Sequence, residues 1–252
     1  MKHVAKKSWR PTVVLLLLFI FWEISTVIWD IPAWMLPAPS SIIQEFFSIW
    51  DSFKEDVWST SYLTFMGFII GCSIGIVTSI LLHLVPSLRE AFYPLLILSQ
   101  NIPIIVLAPL LVIWFGFGLL PKIIVITLVC FFPVAVATLD GLRQTPDEYL
   151  HYMKMAGATK RQIFWKVEVP SSLPSLFSGL KISATYSVMG AVISEWLGAK
   201  AGIGVFMTLA SSSFRTDRVF VAIFLIMILS MVFFSIILFL EKLFIKGKGE
   251  PV

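Results

Sequence analysis

The sequence predicts an all-α polytopic membrane protein with six transmembrane helices. Of the 252 residues, 58% are hydrophobic and only 13% are charged, and long apolar stretches recur along the chain. Soluble domains carry about 25% charged residues, and a spanning helix needs about 20 apolar residues. The composition therefore excludes a disordered chain, a nucleic-acid-binding module and an ordinary cytoplasmic enzyme, and it leaves no room for a separate soluble domain.

The apolar stretches define the predicted spans of a single permease-sized domain, 1–252. These spans are roughly 11–30, 61–85, 92–115, 120–139, 177–198 and 219–240. The first follows a basic N-terminus as a signal peptide would, but no small-x-small cleavage site follows it, so we expect an uncleaved helix. The third contains Pro103 and Pro109, which should break it. Because a break frees backbone hydrogen bonds, this segment should pack against other helices rather than lipid.

Basic residues predict the orientation of the spans. The stretches expected on the cytoplasmic side are 1–10, 86–91, 140–176 and 241–252. The stretches expected on the outer side are 31–60, 116–119 and 199–218. The first set holds thirteen Lys and Arg residues and the second set holds four. Because cytoplasmic loops carry the excess of Lys and Arg, both termini are expected in the cytoplasm.

The second span and the stretch before it carry two helix signals. Ser40 or Ser41 can cap a short helix with apolar residues on one face, which would lie on the outer membrane surface or dock an extracytoplasmic partner. Gly67, Gly71 and Gly75 recur at every fourth position of the span. That spacing predicts close packing against another helix.

The longest polar-enriched stretch, 140–176, is predicted to form a cytoplasmic helical hairpin. Thr145-Pro-Asp-Glu148 should cap a short helix from 146 to about 156. Gly157 should end that helix in the left-handed conformation. Thr159-Lys-Arg-Gln162 should cap a second short helix, which we expect to end before Pro170.

The first helix of this hairpin carries an apolar stripe with helical spacing. Its members are Tyr149, Tyr152, Met153 and Ala156. A connector this small has little protein of its own to cover such a stripe. Either the stripe packs under the membrane helices, or it docks another subunit.

Polar groups inside the predicted spans are the candidates for a solute pathway, because charges in a bilayer usually face a bundle interior or a cavity. Glu195 is the leading pathway or gate candidate, and tethering of a helix end is the alternative. Glu23 either pairs across the bundle or lines the pathway. Gln100 and Asn101 either contact a passing solute or satisfy the broken backbone of the third span.

No motif points to chemistry carried by this chain. There is no GxxxxGK sequence followed by Ser or Thr, so the chain has no P-loop to cradle ATP phosphates. Cys72 and Cys130 lie in apolar stretches without a CxxC motif, and the three histidines lack zinc-site spacing. We therefore expect a transport subunit without enzyme activity, metal or cofactor of its own, energised by ATP bound to a partner.

The hairpin resembles the cytoplasmic signature loop of permease subunits from binding-protein-dependent ABC importers. That loop has a Glu-Ala-Ala triplet, then a Gly, and a Pro thirteen residues after the Gly. Gly157 and Pro170 keep this spacing. His151-Tyr-Met153 stands where the triplet would be, so the turn of the family loop is kept while its acidic residue is not.

An ordered series of motifs extends the resemblance over about residues 60–245. The motifs are Ile113-Trp-Phe-Gly-Phe-Gly118, Phe131-Phe-Pro133, Gly157-Ala-Thr159, Val169-Pro-Ser-Ser-Leu-Pro174, Ser178-Gly-Leu-Lys181, Ser194-Glu-Trp-Leu-Gly198 and Gly202-Ile-Gly204. The series looks like the nitrate, sulfonate, taurine and thiamine-pyrimidine-precursor permease group. Its Ser-Glu-Trp-Leu-Gly version is most similar to permeases for hydroxymethylpyrimidine-type thiamine precursors.

The resemblance implies a multi-pass homodimeric pore in the cell membrane of a bacterium, with two cytoplasmic ATP-binding subunits and an extracytoplasmic solute-binding protein. The ATPase-coupling residues that it implies are Tyr149, Tyr152, Met153, Ala156, Gly157, Ala158, Thr159 and Pro170. A thiamine pyrimidine precursor is the expected solute, and an aliphatic sulfonate, taurine or nitrate is the alternative. A more distant alternative is an ATP-independent secondary transporter, a class that commonly shows internal repeats.

Overall fold

A computed structural model describes residues 2–245 of the chain, with side chains from residue 9 onward. Between these limits ten segments are α-helical: α1 (Lys2–Ile28), α2 (Pro39–Leu84), α3 (Pro86–Ser99), α4 (Ile104–Phe115), α5 (Leu119–Arg143), α6 (Asp147–Met155), α7 (Lys160–Ile163), α8 (Val169–Glu195), α9 (Ile203–Ser212) and α10 (Thr216–Phe244). A π-helical turn, Phe164–Glu168, joins α7 to α8. The side chains of five lysines used to predict the orientation lie outside the described residues: Lys2, Lys6, Lys7, Lys246 and Lys248.

The all-α polytopic class is confirmed. Within the described residues, α1, α2, α5, α8 with its preceding turn, and α10 are long and apolar enough to cross a membrane. Helices α3 and α4 pass the same test together but are bent by 100° at the break between them. The count is thus five spans, or six if the bent pair is one span. The predicted break is confirmed at Pro103, the N-cap residue of α4, whereas Pro109 lies inside α4 and does not break it.

Helix α2 differs from the prediction for the stretch before the second span. It starts at Pro39 with Ala38 as its N-cap and runs for 46 residues without interruption. The separate surface helix, and the capping role of Ser40 or Ser41, were therefore wrong. No glycine or proline stands between Pro39 and Gly67, so nothing stops the helix from continuing into the span. Its early residues Ile49 and Phe53 are buried in one cluster with Ile203.

The hairpin region corrects two further predictions. Thr145 does not cap α6, because its hydroxyl donates to the carbonyl oxygen of Leu142 in the last turn of α5 (3.2 Å). The second helix does not end before Pro170, since α7 continues through the π-helical turn into α8. A proline lacks the N–H needed for a regular turn, and the wider π-helical turn just before Pro170 takes up that irregularity.

The core lies where α2, α5 and α8 pack together. The glycine spacing in α2 permits this contact, because a Cβ atom at Gly71 would lie 2.6 Å from the carbonyl oxygen of Thr127 in α5. The predicted close helix packing is thus confirmed. Residues buried between the three helices are Leu63, Phe68, Ile126, Cys130, Val134, Phe177, Ala184 and Ala191.

Candidate functional site

The turn of the hairpin forms as the sequence predicts. Gly157 has a φ of 75°, a left-handed conformation that a Cβ atom disfavours. Its N–H donates to the carbonyl oxygen of Lys154, and the N–H of Ala158 donates to that of Met153 (both 3.0 Å). These two bonds form a Schellman motif. The turn therefore ends α6 in a fixed geometry.

The start of α7 is also as predicted. The Thr159 hydroxyl accepts from the Gln162 N–H (3.3 Å), while the Gln162 side-chain oxygen accepts from the Thr159 N–H (2.8 Å). This reciprocal capping box fixes the direction in which α7 leaves the turn. The hairpin is thus held at Gly157 and at Thr159, and it continues directly into α8.

The apolar stripe of α6 is exposed. No residue of α6 is buried, and Tyr149 and Tyr152 are 59% and 69% exposed. Met153 is half-buried and Ala156 is exposed. Met155, which the sequence reasoning missed although it follows Tyr152 at helical spacing, is 81% exposed. The membrane helices do not cover this stripe, which favours the docking alternative.

A polar pair joins the base of the hairpin to α2. His83 Nε2 lies 3.1 Å from Glu168 Oε2 in the π-helical turn, and both side chains are mostly buried. The His83 ring also faces the buried ring of Phe164. No sequence signal connects two residues 85 positions apart, so this contact was missed.

Glu195 lies at the end of α8 and is buried, with 1% exposure. Its Oε1 accepts a hydrogen bond from the Thr60 hydroxyl of α2 (2.7 Å). Its Oε2 accepts from the N–H of Gly204 in the first turn of α9 (2.8 Å). Both carboxylate oxygens therefore bind protein groups, and the geometry favours the tethering alternative over the pathway alternative.

The start of α9 explains the Gly202-Ile-Gly204 motif. The N–H of Gly202 donates to Asp56 Oδ1 (2.7 Å), and that of Ile203 donates to the Thr60 hydroxyl (2.8 Å). Together with the bond to Glu195, side chains of α2 and α8 bind the first free N–H groups of α9, as caps must. A Cβ atom at Gly202 would lie 2.3 Å from the Glu195 carboxyl carbon. Position 202 thus needs a glycine, because only a residue without a Cβ atom lets the backbone come this close to the Glu195 carboxylate.

The start of α2 holds the other predicted carboxylate, Glu23. Glu23 of α1 accepts hydrogen bonds from the Ser40 hydroxyl (2.6 Å) and the Ser40 N–H (3.0 Å). It ties α1 to the start of α2, which favours the structural-pairing alternative. Nearby, Arg215 binds Glu45 of α2 and Asp217 of α10, and the hydrogen bond to Asp217 raises the pKa of the Arg215 guanidinium.

Gln100 and Asn101 lie at the break between α3 and α4, beside a cavity of about 350 Å³. Asn101 Nδ2 donates to the carbonyl oxygen of Ile97 (2.8 Å), so this amide partly satisfies the broken backbone. The Gln100 side chain is exposed. The remaining walls come from α4, α5 and α8: Ile104, Leu107, Val129, Phe132, Pro133, Tyr186, Met189, Gly190 and Ile193. The structure thus brings the two amides together with residues that no motif connects.

These regions remain separate, and none is arranged for metal binding. Among the described side chains, no group of three or more His, Cys, Asp or Glu residues could hold a metal ion. The free thiols of Cys72 and Cys130 are buried. The geometry offers an exposed apolar stripe on α6, a buried helix tether at Glu195 and a cavity at the break between α3 and α4.

Comparison with known proteins settles the family. Residues 67–246 match the family described as binding-protein-dependent transport system inner membrane component. The chain belongs to this family. It is a multi-pass inner-membrane permease subunit of an ABC importer, as its motifs suggested.

Relatives of this permease transport different solutes. It is 37% identical, over 97% of its length, to the formylaminopyrimidine transport permease protein ThiX of Halalkalibacterium halodurans, and covers 99% of that protein. It is 29% identical over 94% of its length to the riboflavin transport system permease protein RibX of Chloroflexus aurantiacus (90% covered). It is 27% identical over 85% of its length to the taurine transport system permease protein TauC of Escherichia coli (80% covered).

A solved structure shares the fold of this permease. A chain of the MetNI methionine ABC transporter, in an inward-facing conformation, superimposes with a TM-score of 0.60 at 21% identity. The match covers 73% of the permease and 94% of that chain. At this identity the comparison supports the fold alone.

Proposed function

We propose that this permease forms, as a homodimer, the membrane pathway of an importer for a pyrimidine precursor of thiamine, such as hydroxymethylpyrimidine. The observation that carries the solute class is the 37% identity, over nearly the whole chain, with a permease named for formylaminopyrimidine. An aliphatic sulfonate or taurine is the second candidate, because TauC is 27% identical over 85% of the chain.

The energy for transport comes from two ATP-binding subunits that dock on the hairpin. The uncovered stripe of α6 fits the helix-in-groove mode, in which an apolar helix face enters a groove of the partner. The coupling residues are Tyr149, Tyr152, Met153, Ala156, Gly157, Ala158, Thr159 and Pro170. Since α7 continues into α8, a displacement of the hairpin is passed to the membrane helices.

The solute arrives from an extracytoplasmic binding protein at the opposite end of the permease. His83, near the C-terminal end of α2, contacts the base of the hairpin, so the start of α2 lies at the far end of the bundle. The hairpin and the stretches predicted to lie on the same side of the membrane carry the excess of Lys and Arg. This excess supports a cytoplasmic location for the hairpin and for both termini.

Reconstituted vesicles test this proposal. The permease, its ATP-binding partner and its binding protein are reconstituted, and uptake of labelled hydroxymethylpyrimidine is measured with taurine as a competitor. ATP-dependent uptake that taurine does not inhibit supports the proposal. Uptake that persists without the ATP-binding subunit would instead show a secondary transporter, and ATP-dependent uptake of taurine alone would favour the second candidate.

The docking surface has its own control. Tyr152→Ser should weaken co-purification of the ATP-binding subunit with the permease, because it removes an exposed apolar ring from the stripe. Lys154 is exposed on the opposite face of α6, so Lys154→Ser should leave co-purification unchanged. Equal effects of the two substitutions would contradict docking through the stripe.

A further inference from the structure

The break between α3 and α4 leaves irregular backbone beside a cavity at membrane level. Gln100, Asn101 and Pro103 are all exposed at this break. Such backbone is tolerated within a membrane only where it is buried in protein or lines a water-filled cavity. Discontinuous helices also form the solute sites of other transporter folds. An exposed break must therefore face either a water-filled space or another protein subunit.

The opposite wall of this cavity is an exposed stripe of α8 within a helix that is otherwise largely buried. Tyr186 is 46% exposed and Met189 is 50% exposed, while the adjacent Ser187, Val188 and Gly190 are buried. Phe132 and Pro133 of α5 also line the cavity. The volume of about 350 Å³ lies within the range of small-molecule sites, roughly 300–1,000 Å³.

The lining is mostly apolar, with polar side chains at Gln100, Asn101 and Tyr186, and it carries no charge. Among its described residues there is no Asp, Glu, Lys, Arg or His, so an anion or a cation would lose its hydration without gaining a charged partner. Hydrogen bonds are available from the Gln100 amide and the Tyr186 hydroxyl. Flat contact surfaces come from the rings of Phe132 and Tyr186 and from the Met189 thioether. These groups match an uncharged planar ring that contains nitrogen atoms and carries amino substituents.

We infer that this cavity is a solute-binding site within the permease for an uncharged, planar nitrogen heterocycle, contacted by Gln100, Tyr186 and Met189. The inference rests on the proposed function and deepens it by naming the residues that bind the solute. It places recognition in the permease as well as in the binding protein. It also predicts that sulfonates and nitrate are not held there.

Protection of an introduced thiol tests the site directly. The native thiols of the permease are buried, with Cys72 at 5% and Cys130 at 0% exposure, so Met189→Cys provides a single accessible thiol on the permease, whose band is followed separately from those of its partners. In the reconstituted complex, hydroxymethylpyrimidine should slow maleimide labelling of Met189→Cys, whereas taurine and nitrate should not. Met227→Cys on α10, 53% exposed and outside the cavity lining, is the control and should label at the same rate with or without solute.

A second substitution measures the hydrogen bond to the solute. Tyr186→Phe in the Met189→Cys background should raise the solute concentration needed for half-protection about three- to tenfold, the value of one hydrogen bond. Thr185→Val removes a neighbouring hydroxyl that does not line the cavity and should leave that concentration unchanged.

Uptake measured on the same vesicles separates the two proposals. ATP-dependent pyrimidine uptake without selective protection at position 189 would overturn the site while leaving the proposed function intact. Absence of pyrimidine uptake would overturn the proposed solute, and with it the solute class inferred for the cavity. Protection by taurine equal to that by the pyrimidine would overturn the assignment to uncharged heterocycles.

Discussion

Replacing Glu195 by leucine and by glutamine distinguishes a helix tether from a pathway carboxylate. Leucine fills a similar volume but leaves the Gly204 N–H and the Thr60 hydroxyl without their buried acceptor. Each unpaired buried group costs about 1–3 kcal/mol, so Glu195→Leu should lower the free energy of unfolding by about 2–6 kcal/mol. At about 2–4 °C per kcal/mol for a chain of this size, the apparent Tm in detergent falls by roughly 4–24 °C.

Glutamine should be milder than leucine at this position. Its side-chain oxygen can accept from the Gly204 N–H, and its NH2 group can donate to the Thr60 hydroxyl oxygen, which already accepts from the Ile203 N–H and has a second lone pair. The Thr60 hydroxyl proton then loses the acceptor that it has in the native permease, which costs about 1–3 kcal/mol. Glu195→Gln should therefore lower the apparent Tm by about 2–12 °C, less than Glu195→Leu does, and leave uptake per folded complex unchanged.

Thermal stability in detergent and uptake in vesicles are measured for both variants. Glu55→Leu removes an exposed carboxylate from α2 and is the matched control, which should leave the Tm unchanged. A large loss of uptake in Glu195→Gln with an unaltered Tm would refute the tether and return the carboxylate to the solute path. An unaltered Tm in Glu195→Leu would refute the energetic argument itself.

Three further predictions concern the turn, the helix core and an ion pair. Gly157→Val should uncouple ATP hydrolysis from uptake, because at a φ of 75° a Cβ atom costs about 1–2 kcal/mol; Gly157→Asn, which tolerates this conformation, should remain coupled in an ATPase and uptake assay. Gly71→Ala should destabilise the permease by about 1–3 kcal/mol, because its Cβ would lie 2.6 Å from a backbone oxygen. The control Gly190→Ala meets a side-chain methyl at 3.3 Å and should lower the Tm in detergent by less. Lys181→Met should destabilise the permease by about 1.5–3 kcal/mol, because it leaves Glu241 without the Lys181 ammonium that lies 2.9 Å from its carboxylate. Adding Glu241→Gln should restore most of the Tm, and no recovery in the double variant would contradict a stabilising ion pair.

Local patterns predicted those parts of the fold that depend on neighbouring residues. The left-handed turn at Gly157, the capping box at Thr159 and the break at Pro103 each need only a few adjacent residues, and all three are confirmed. The errors arose where a local signal competed with a longer element. Thr145 matched a capping pattern, but the end of α5 was within reach of its hydroxyl. Ser40 matched another, but α2 had already begun at Pro39.

The candidate sites were harder to predict because their contacts are distant in sequence. Glu195 stood out as an ionisable residue in an apolar stretch, yet its partner Thr60 is 135 positions away. Only the packing of α2 against α8 makes that residue a tether. The cavity beside Gln100 likewise depends on Tyr186 and Met189, which read in the sequence as ordinary apolar-face residues. Residue type thus identified candidates, while tertiary packing decided between their alternative roles.

The length of α2 has a mechanical consequence for the permease. This one helix is tied to Glu23 through Ser40 near its first residue and to Glu168 through His83 near its last. Its 46 residues, at a rise of 1.5 Å each, measure about 69 Å along the axis, more than twice the roughly 30 Å hydrocarbon core of a bilayer. A rocking of about 5° about its midpoint would move each end by roughly 3 Å in opposite directions. A displacement at the start of α2 would thus reach the base of the hairpin through a single helix, without any relay of side chains.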